Sequence, residues 1–211
     1  EVLFLRDQNI EPAAQKALAE IFGPLQTHPA YSTVEGLPEV MILESTRENP
    51  SKIEVWHSDM TFRQHPPSVT VLRGITIPEV GGDTLFASMT AAYDGLSLGM
   101  QRYLDGLIAV HDFSHGFKES LAEHGGRERL ADAVAANPPV RHPVVQTHPE
   151  TGKKVLFVNA LFTTHIEDLP PLESSEVLQF LWRHAGLPEF TCRFNWQPNS
   201  MVLWDNRSTQ H

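Results

Sequence analysis

The sequence is poor in cysteine, in long apolar runs and in basic charge, and each shortage excludes a class of protein. The one cysteine, Cys192, cannot form an intrachain disulfide or a thiolate metal cluster, which fits a reducing, cytoplasmic setting. No apolar run approaches the roughly 18 residues that a membrane-spanning helix needs. The first residues, EVLFLRDQNI, lack the basic lead and the small-residue cleavage site of a signal peptide.

Acidic side chains outnumber basic ones. With 26 acidic and 16 basic residues the net charge is −10, which argues against a nucleic-acid partner because phosphate backbones are bound by basic patches. A small anionic substrate is compatible with this balance, since one or two buried arginines are enough to bind it. The length of 211 residues and the apolar fraction of 41% suit a single domain over residues 1–211 with a core of its own.

Short apolar segments separated by turns dominate the chain. Strands are predicted over residues 2–5, 40–43, 69–77, 84–87, 108–113, 155–158, 190–196 and 201–204, and helices over 11–22, 90–107, 119–136 and 173–185. In the first helix Ala14, Leu18, Ile21 and Phe22 share a face, which is expected to be buried.

The pattern favours a mainly β fold with helical decorations (α+β), built on a double-stranded β-helix, or jelly roll. A doubly wound α/β fold would need regular strand–helix alternation and a glycine-rich first turn, and the sequence has neither.

Eleven histidines are many for this length, and most are expected to lie on the surface or in loops. This expectation covers the histidines in polar or proline-rich surroundings, which are His65, His124, His142, His148 and His184. A histidine becomes a candidate metal ligand only where other ligand types accompany it.

His57 and Asp59 form such a pair. Residues two apart in a strand point to the same face, so both side chains could hold one ion. An imidazole and a carboxylate suit iron(II), and a second histidine from elsewhere would complete a facial triad. His211 stands shortly after the apolar segment 201–204, where a jelly-roll site would take its third ligand, although spacing alone only suggests this.

Several segments resemble the taurine dioxygenase (TauD/TfdA) family. They are residues 56–62 (WHSDMTF), 81–86 (GGDTLF) and 204–211 (WDNRSTQH), together with 91–93, 142–145, 147–149 and 156–159. The resemblance runs in register from the first predicted strand to the last residue, and several independent motifs in order make it specific. It implies an enzyme that uses Fe(II), 2-oxoglutarate and O2.

By that resemblance, His57, Asp59 and His211 are the metal ligands and the catalytic centre. Thr84 matches the position whose hydroxyl helps to hold a carboxylate of 2-oxoglutarate, a role that suits a hydroxyl donor at a strand edge. The family anchors the cosubstrate and the substrate with two arginines beyond the distal histidine. Arg207 is part of the motif and does not replace them, so segments before Glu1 and after His211 are expected to be missing.

The resemblance also implies substrate contacts. Within residues 27–31 (THPAY), His28 and Tyr31 match positions near a sulfonate and its amine, and Phe62 and Phe162 match aromatic residues of the pocket wall. For both phenylalanines, ordinary core packing is an alternative. Ile53 stands where taurine enzymes place an asparagine near the substrate amine, and an apolar side chain cannot accept a hydrogen bond from an ammonium group. Val55 replaces an asparagine near the cosubstrate.

Three functions follow as hypotheses. The first is hydroxylation of taurine or a related sulfonate, in a pathway of sulfur metabolism, which releases sulfite, an aldehyde, succinate and CO2. The second is the same chemistry on an alkyl sulfate ester or an aryloxyalkanoate, the latter also because residues 190–194 (FTCRF) resemble aryloxyalkanoate members. The third is a non-catalytic jelly-roll binding protein with a vestigial metal site. By analogy with the family, a homo-oligomer (dimer or tetramer) is expected.

Overall fold

A computed structural model describes residues 1–28, 31–48, 50 and 53–211 of the chain. The described residues form short strands and helices. The strands are β1 (Val2–Leu5), β2 (Thr33–Val34), β3 (Leu37–Met41), β4 (Val69–Arg73), β5 (Thr84–Ser88), β6 (Ile108–His111), β7 (Val140–Pro143), β8 (Val145–Thr147), β9 (Lys154–Leu156), β10 (Thr163–Ile166), β11 (Thr191–Phe194), β12 (Met201–Asp205) and β13 (Thr209–Gln210). The α-helices are α1 (Pro12–Glu20), α2 (Met89–Asp94), α3 (Leu98–Leu104), α4 (Phe113–Gly116), α5 (Lys118–Ala122), α6 (Gly126–Arg129), α7 (Ala131–Ala136) and α8 (Pro171–Ala185).

The strands pair antiparallel in three three-stranded sheets, ordered β1-β12-β4, β11-β5-β13 and β10-β6-β7, and in the pairs β2-β3 and β8-β9. Antiparallel pairing agrees with the prediction against a doubly wound fold, whose sheet is parallel. The described strands do not close into a barrel, and the helices hold about as many residues as the strands. The prediction of an α+β fold with helical decorations is therefore confirmed, and the jelly-roll core stays a prediction. Four short helices, α4–α7, occupy the region between β6 and β7.

Two of the sheets pack face to face around an aromatic core. Phe86 of β5 and Trp204 of β12 are both buried, and their ring centroids lie 5.6 Å apart. Phe194 of β11 and Val202 of β12 belong to the same cluster. This contact joins the sheet that contains β4 to the sheet that contains β13, and the candidate site lies at their junction.

A second aromatic cluster lies beside the first. It consists of Met60, Phe62, Phe113, Ala133 and Phe162, all of them buried. Met60 and Phe62 follow the predicted ligand pair directly in sequence, and Phe113 and Ala133 come from α4 and α7. The short helices thus cover the side of the site on which the substrate residues were predicted.

The first helix corrects one prediction. α1 ends at Glu20, and the side chains of Ile21 and Phe22 are 75% and 45% exposed, so they do not form the buried face expected from the sequence. Ala14 is exposed as well. The segment 2–5 is the expected strand, but Leu3 is 55% exposed because β1 is the edge strand of its sheet.

Helix capping explains why residues 90–107 form two helices instead of one. The Ser88 hydroxyl accepts a hydrogen bond from Ala91 N–H, and the Ser97 hydroxyl accepts one from Met100 N–H, so each serine starts a new helix. In α8, which covers the predicted helix 173–185, Leu178, Leu181 and Ala185 are buried on one face. None of the helices in the described ranges is both long enough and apolar enough to cross a bilayer.

Candidate metal centre and substrate pocket

Backbone pairing brings His57 and His211 together. The His57 N–H donates to the His211 carbonyl at 3.1 Å, and the His211 N–H donates to the His57 carbonyl at 2.9 Å. This double exchange is the pattern of a hydrogen-bonded antiparallel pair. Residues 57–59 are not part of an assigned strand, contrary to the geometry assumed from the sequence, but the pairing with residue 211 fixes their backbone in its place.

The side chains of His57, Asp59 and His211 converge on one point. Each offers one ligand atom, and these atoms lie within 4.8 Å of one another. The Asp59 Oδ1 atom is 3.8 Å from His57 Nε2 and 3.5 Å from His211 Nε2. The three side chains are only 12%, 27% and 14% exposed, respectively. The structure therefore brings together all three ligands predicted from the sequence.

The protonation states suit metal binding. The His57 Nδ1 atom lies 3.0 Å from the Val55 carbonyl oxygen, which can only accept, so Nδ1 donates this bond and Nε2 is the atom that faces Asp59. Burial, together with the nearby His57 ring, lowers the pKa of His211 to about 4, although the Asp59 charge opposes the shift. His211 thus presents a neutral ring nitrogen beside the Asp59 carboxylate.

A polar atom in this centre lacks a partner. The His211 Nε2 atom is buried and has no hydrogen-bond partner among the described residues. A buried nitrogen without a partner is costly, and a metal ion at the point of convergence would satisfy it. Two imidazoles and one carboxylate are the donor set of the facial triad that binds iron(II) and leaves further positions open.

Thr84 begins β5 on the side that faces the centre. It shares a strand face with Phe86, whose ring centroid lies 6.2 Å from that of His211. The Trp196 indole N–H donates to the Thr84 hydroxyl oxygen at 2.8 Å, which leaves the hydroxyl hydrogen available for an anion. The placement agrees with the predicted contact to a carboxylate, which stays a prediction.

The four predicted substrate residues form one group. The His28 ring centroid lies 4.6 Å from that of Tyr31 and 6.0 Å from that of Phe62, and the Phe62 and Phe162 centroids are 5.0 Å apart. Both phenylalanines are buried, so they also contribute to the core. Pro29 and Ala30, which belong to the same predicted segment, lie outside the described residues.

Electrostatics connect this group to the metal ligands. Burial lowers the pKa of His28 to about 4, while the Asp59 charge acts to raise it and the Arg63 charge to lower it. Burial also raises the pKa of Tyr31, and the Asp59 charge adds to that rise. Both rings therefore lie within electrostatic range of Asp59, one of the candidate ligands.

Ile53 and Val55 lie just before the candidate ligand His57 in sequence. Ile53 is half-buried and Val55 is 44% exposed. The backbone carbonyl of Val55 contacts the His57 ring. The side chains remain apolar positions beside the ligand segment, as the sequence indicated.

The expectation of a surface or loop position is wrong for His142, which is buried in β7, whereas His148 lies in the loop between β8 and β9, although buried, and His184 is half-buried in α8. His142 is buried and its Nε2 atom donates to the carbonyls of Thr61 and Arg63, both at 3.0 Å. His148 is buried with Nε2 at 2.9 Å from Asp205 Oδ2, and His184 donates to the Ala92 carbonyl at 2.7 Å. Each ring satisfies groups that are distant in sequence, which local composition does not reveal. The exposed positions of His65 and His124 are confirmed.

Arg207 has a structural role, as expected. Its Nε and Nη2 atoms donate to the two carboxylate oxygens of Asp205 at 2.8 and 2.6 Å, and Nη1 donates to Glu150 at 3.0 Å. Sequence reasoning missed two direct partners of Asp59, which are Thr70 and Asn206. The place of Asn206 inside the WDNR motif was the available signal, and Thr70 had none.

Comparisons with known proteins agree with these observations. The whole chain, residues 1–211, matches the family described as "Taurine catabolism dioxygenase TauD, TfdA family". The chain is 35% identical over 215 residues to an alkylsulfatase of Acinetobacter baylyi, with 100% of the chain and 67% of the relative covered. It is 32% identical over 226 residues to an alpha-ketoglutarate-dependent sulfonate dioxygenase of Saccharomyces cerevisiae, with 100% of the chain and 53% of the relative covered.

A third relative acts on another class of compound. It is an alpha-ketoglutarate-dependent 2,4-dichlorophenoxyacetate dioxygenase of Cupriavidus pinatubonensis, 32% identical over 227 residues, with 100% of the chain and 77% of the relative covered. The chain thus spans between about half and three quarters of the length of these relatives.

A solved structure shares the fold. The crystal structure of a taurine dioxygenase from Burkholderia xenovorans matches with a TM-score of 0.79 at 35% identity, over 99% of this chain and 67% of that one. The family match covers every residue, and the convergent ligands are those that its resemblance implied. The chain belongs to the TauD, TfdA family of dioxygenases.

Proposed function

We propose that the chain carries the active site of an Fe(II)- and 2-oxoglutarate-dependent dioxygenase that hydroxylates a small anionic substrate. The observation that carries the proposal is the convergence of His57, Asp59 and His211 within 4.8 Å, beside the group formed by His28, Tyr31, Phe62 and Phe162. A metal-binding donor set that adjoins a largely aromatic group of side chains suits catalysis on a bound organic molecule.

His57, Asp59 and His211 would hold the iron, and Thr84 would contribute to holding the cosubstrate. When bound, iron(II) with 2-oxoglutarate supplies the oxidising power for hydroxylation of a C–H bond by O2, with succinate and CO2 as co-products. The chain's own contribution is to orient the substrate against this centre and to keep water away. Buried Phe62 and Phe162 serve the second purpose.

Taurine or a related sulfonate is the leading substrate. A neutral His28, kept so by its lowered pKa of about 4, can donate one hydrogen bond to an anionic oxygen. Hydroxylation at the carbon next to sulfur gives an unstable product, which releases sulfite and an aldehyde. The relative named as a sulfonate dioxygenase supports this choice.

An alkyl sulfate ester or an aryloxyalkanoate is the second candidate. Apolar Ile53 favours it, because it stands where taurine enzymes place an asparagine near the amine of taurine, and an apolar side chain cannot accept a hydrogen bond from that amine. The relatives named as an alkylsulfatase and as a 2,4-dichlorophenoxyacetate dioxygenase support it as well. The reaction class is the same for both candidates, so only the pocket decides between them.

The proposal extends to architecture. We take residues 1–211 as a single domain with the jelly-roll core expected from the sequence, supported by the shared fold of the Burkholderia structure. A cytoplasmic location and a homo-oligomeric state stay predictions. Sedimentation equilibrium that showed only monomer would refute the second.

Anaerobic binding followed by turnover tests the function. Full-length protein is mixed with Fe(II) and 2-oxoglutarate, and the weak visible metal-to-ligand absorption band is recorded. Taurine, alkyl sulfates and phenoxyacetates are then added with O2, and succinate and sulfite are measured. The band with taurine-dependent sulfite supports the leading substrate, and succinate formation with only the other compounds supports the second candidate. A band absent from the wild-type protein would leave a non-catalytic binding protein with a vestigial site.

A further inference from the structure

Asp59 is held at its backbone by one buried amide side chain. The Asn206 Oδ1 atom accepts a hydrogen bond from Asp59 N–H at 2.6 Å, and its Nδ2 atom donates to the Asp59 carbonyl at 2.9 Å and to the Pro67 carbonyl at 3.1 Å. Asn206 is fully buried, and its own N–H donates to the Ser68 carbonyl at 2.9 Å. One amide thus satisfies both backbone groups of the ligand residue.

The turn that carries Asn206 is itself fixed. Asp205, the preceding residue, accepts hydrogen bonds from the backbone and the guanidinium of Arg207 and from His148. The His148 Nδ1 atom accepts from Glu150 N–H and Thr151 N–H, so its Nε2 atom must be the donor to Asp205. The WDNR motif therefore anchors the Asp59 backbone, and only rotation of the Asp59 side chain remains open.

The Thr70 hydroxyl restricts that rotation. It donates to Asp59 Oδ2 at 2.8 Å, and because a carboxylate only accepts, the direction of the bond is fixed. The other oxygen, Oδ1, is the one that faces His57 and His211. Thr70 lies in β4 directly opposite Trp204 of β12, so sheet pairing determines where its hydroxyl points.

We infer that Thr70 is a positioning residue that selects Oδ1 of Asp59 as the single oxygen presented to the metal. Torsions at the end of an aspartate side chain are broad and roughly two-fold, so an unrestrained carboxylate would turn either oxygen, or both, toward the ion. Mutation of a residue that hydrogen-bonds to a metal ligand typically lowers the metal affinity about 10–100-fold. This inference rests on the proposed function, because it takes the centre to bind a metal.

Metal binding by full-length protein tests the inference without any turnover. Co(II) replaces Fe(II) as the probe, because it is stable in air and its visible spectrum reports the number and geometry of ligands. Calorimetric titration gives the Kd for wild type, Thr70→Val, Thr70→Ser and Thr164→Val. The last variant is the matched control, since the Thr164 hydroxyl donates to the Val110 carbonyl at 3.1 Å in β10, in a different sheet from β4.

Thr70→Val is expected to weaken Co(II) binding about 10–100-fold and to change the visible spectrum, while Thr70→Ser stays within about threefold of wild type. Thr164→Val is expected to bind like wild type. Equal affinity of Thr70→Val and wild type would overturn the inference and leave the proposed function standing. A wild-type protein that binds no Co(II) would overturn both, and a loss in Thr70→Ser as large as in Thr70→Val would show that packing, not the hydroxyl, matters.

Discussion

His111 is a buried histidine that the proposed chemistry does not use. Its ring nitrogens lie 2.9 Å from the Thr61 hydroxyl and 3.3 Å from the Thr163 hydroxyl, and the residue is fully buried. Burial first, and the neighbouring His142 second, lower its pKa to about 3, although a hydrogen bond with the Phe157 backbone opposes this. The folded protein therefore keeps His111 neutral far below the pH at which the unfolded chain protonates it.

We predict that this histidine makes the fold acid-sensitive. Below the unfolded pKa of 6.5, the unfolded chain binds a proton that the folded chain refuses until about pH 3, so the free energy of unfolding falls as the pH falls. One such group contributes a slope of about 1.4 kcal/mol per pH unit. Urea unfolding of the EDTA-treated protein gives the free energy of unfolding at each pH between pH 6 and pH 4. The slope of this free energy against pH should be smaller by that amount in His111→Gln than in wild type. Equal slopes would mean that His111 titrates normally.

Gly116 is the residue on which the position of Phe162 depends. A Cβ atom added there would lie 2.4 Å from Phe162 Cε1 and 3.2 Å from the Leu161 carbonyl oxygen. Gly99 offers a matched control in another helix, since a Cβ there would meet only the Ser97 hydroxyl at 3.8 Å.

Gly116→Ala is predicted to destabilise the protein by about 1–3 kcal/mol, because Phe162 must move out of a packed cluster. Gly99→Ala should be neutral or stabilising by up to about 1 kcal/mol, since alanine favours helix. Chemical denaturation of both variants measures the difference. If Phe162 also lines the substrate pocket, Gly116→Ala raises the KM while Gly99→Ala leaves it unchanged. Equal stability of the two variants would show that Phe162 has room to move.

At the scale of elements, Arg63 ties two segments of the site together. Its Nη1 atom donates to the Gln26 side chain and its Nη2 atom to the Thr27 carbonyl, both at 2.9 Å, just before His28. Arg63 follows the ligand segment in sequence, and its carbonyl accepts from the buried His142. The guanidinium thus connects the substrate segment to the backbone that carries Asp59.

Arg63→Gln is expected to raise the KM for the substrate about tenfold, the effect of losing one or two charge-assisted hydrogen bonds, with an unchanged Co(II) affinity. Arg141→Gln is the control, since Arg141 is 67% exposed and pairs with Glu167 away from the site. Steady-state succinate formation and calorimetry measure the two effects. A wild-type KM in Arg63→Lys would contradict this role of the guanidinium, because lysine restores the charge but not the geometry of two parallel hydrogen bonds.

Some elements and site residues could be predicted from the sequence, and others could not. Strands such as β4, β5 and β12 were found because their apolar runs are local, and the ligand residues were found because short motifs mark them. The exposure of Ile21 and Phe22 after α1 and the burial of His142 and His148 depend on what the rest of the chain packs against them, which no local pattern encodes. Thr70 is the same case, since its role follows only from the pairing of β4 with β12.

For the whole molecule, the metal centre joins distant parts of the chain. His57 and Asp59 precede β4, whereas His211 follows β13, and their contact requires two sheets to be in place. In the unfolded chain these ligands are far apart and bind an ion weakly. Metal binding should therefore stabilise the folded state as a unit.

We predict that Co(II) at about 100 times its Kd raises the free energy of unfolding by about 2.7 kcal/mol, or the Tm by about 5–10 °C for a chain of this size. His211→Ala should lose this shift, because two ligands remain and the third position opens to water. His65→Ala, which changes an exposed histidine, should keep it. Thermal unfolding with Co(II) and with EDTA measures both. A Co(II)-dependent rise in Tm that persists in His211→Ala would mean that the ion stabilises the protein from a different site. Metal binding at His57, Asp59 and His211 would then not be the link between the two sheets.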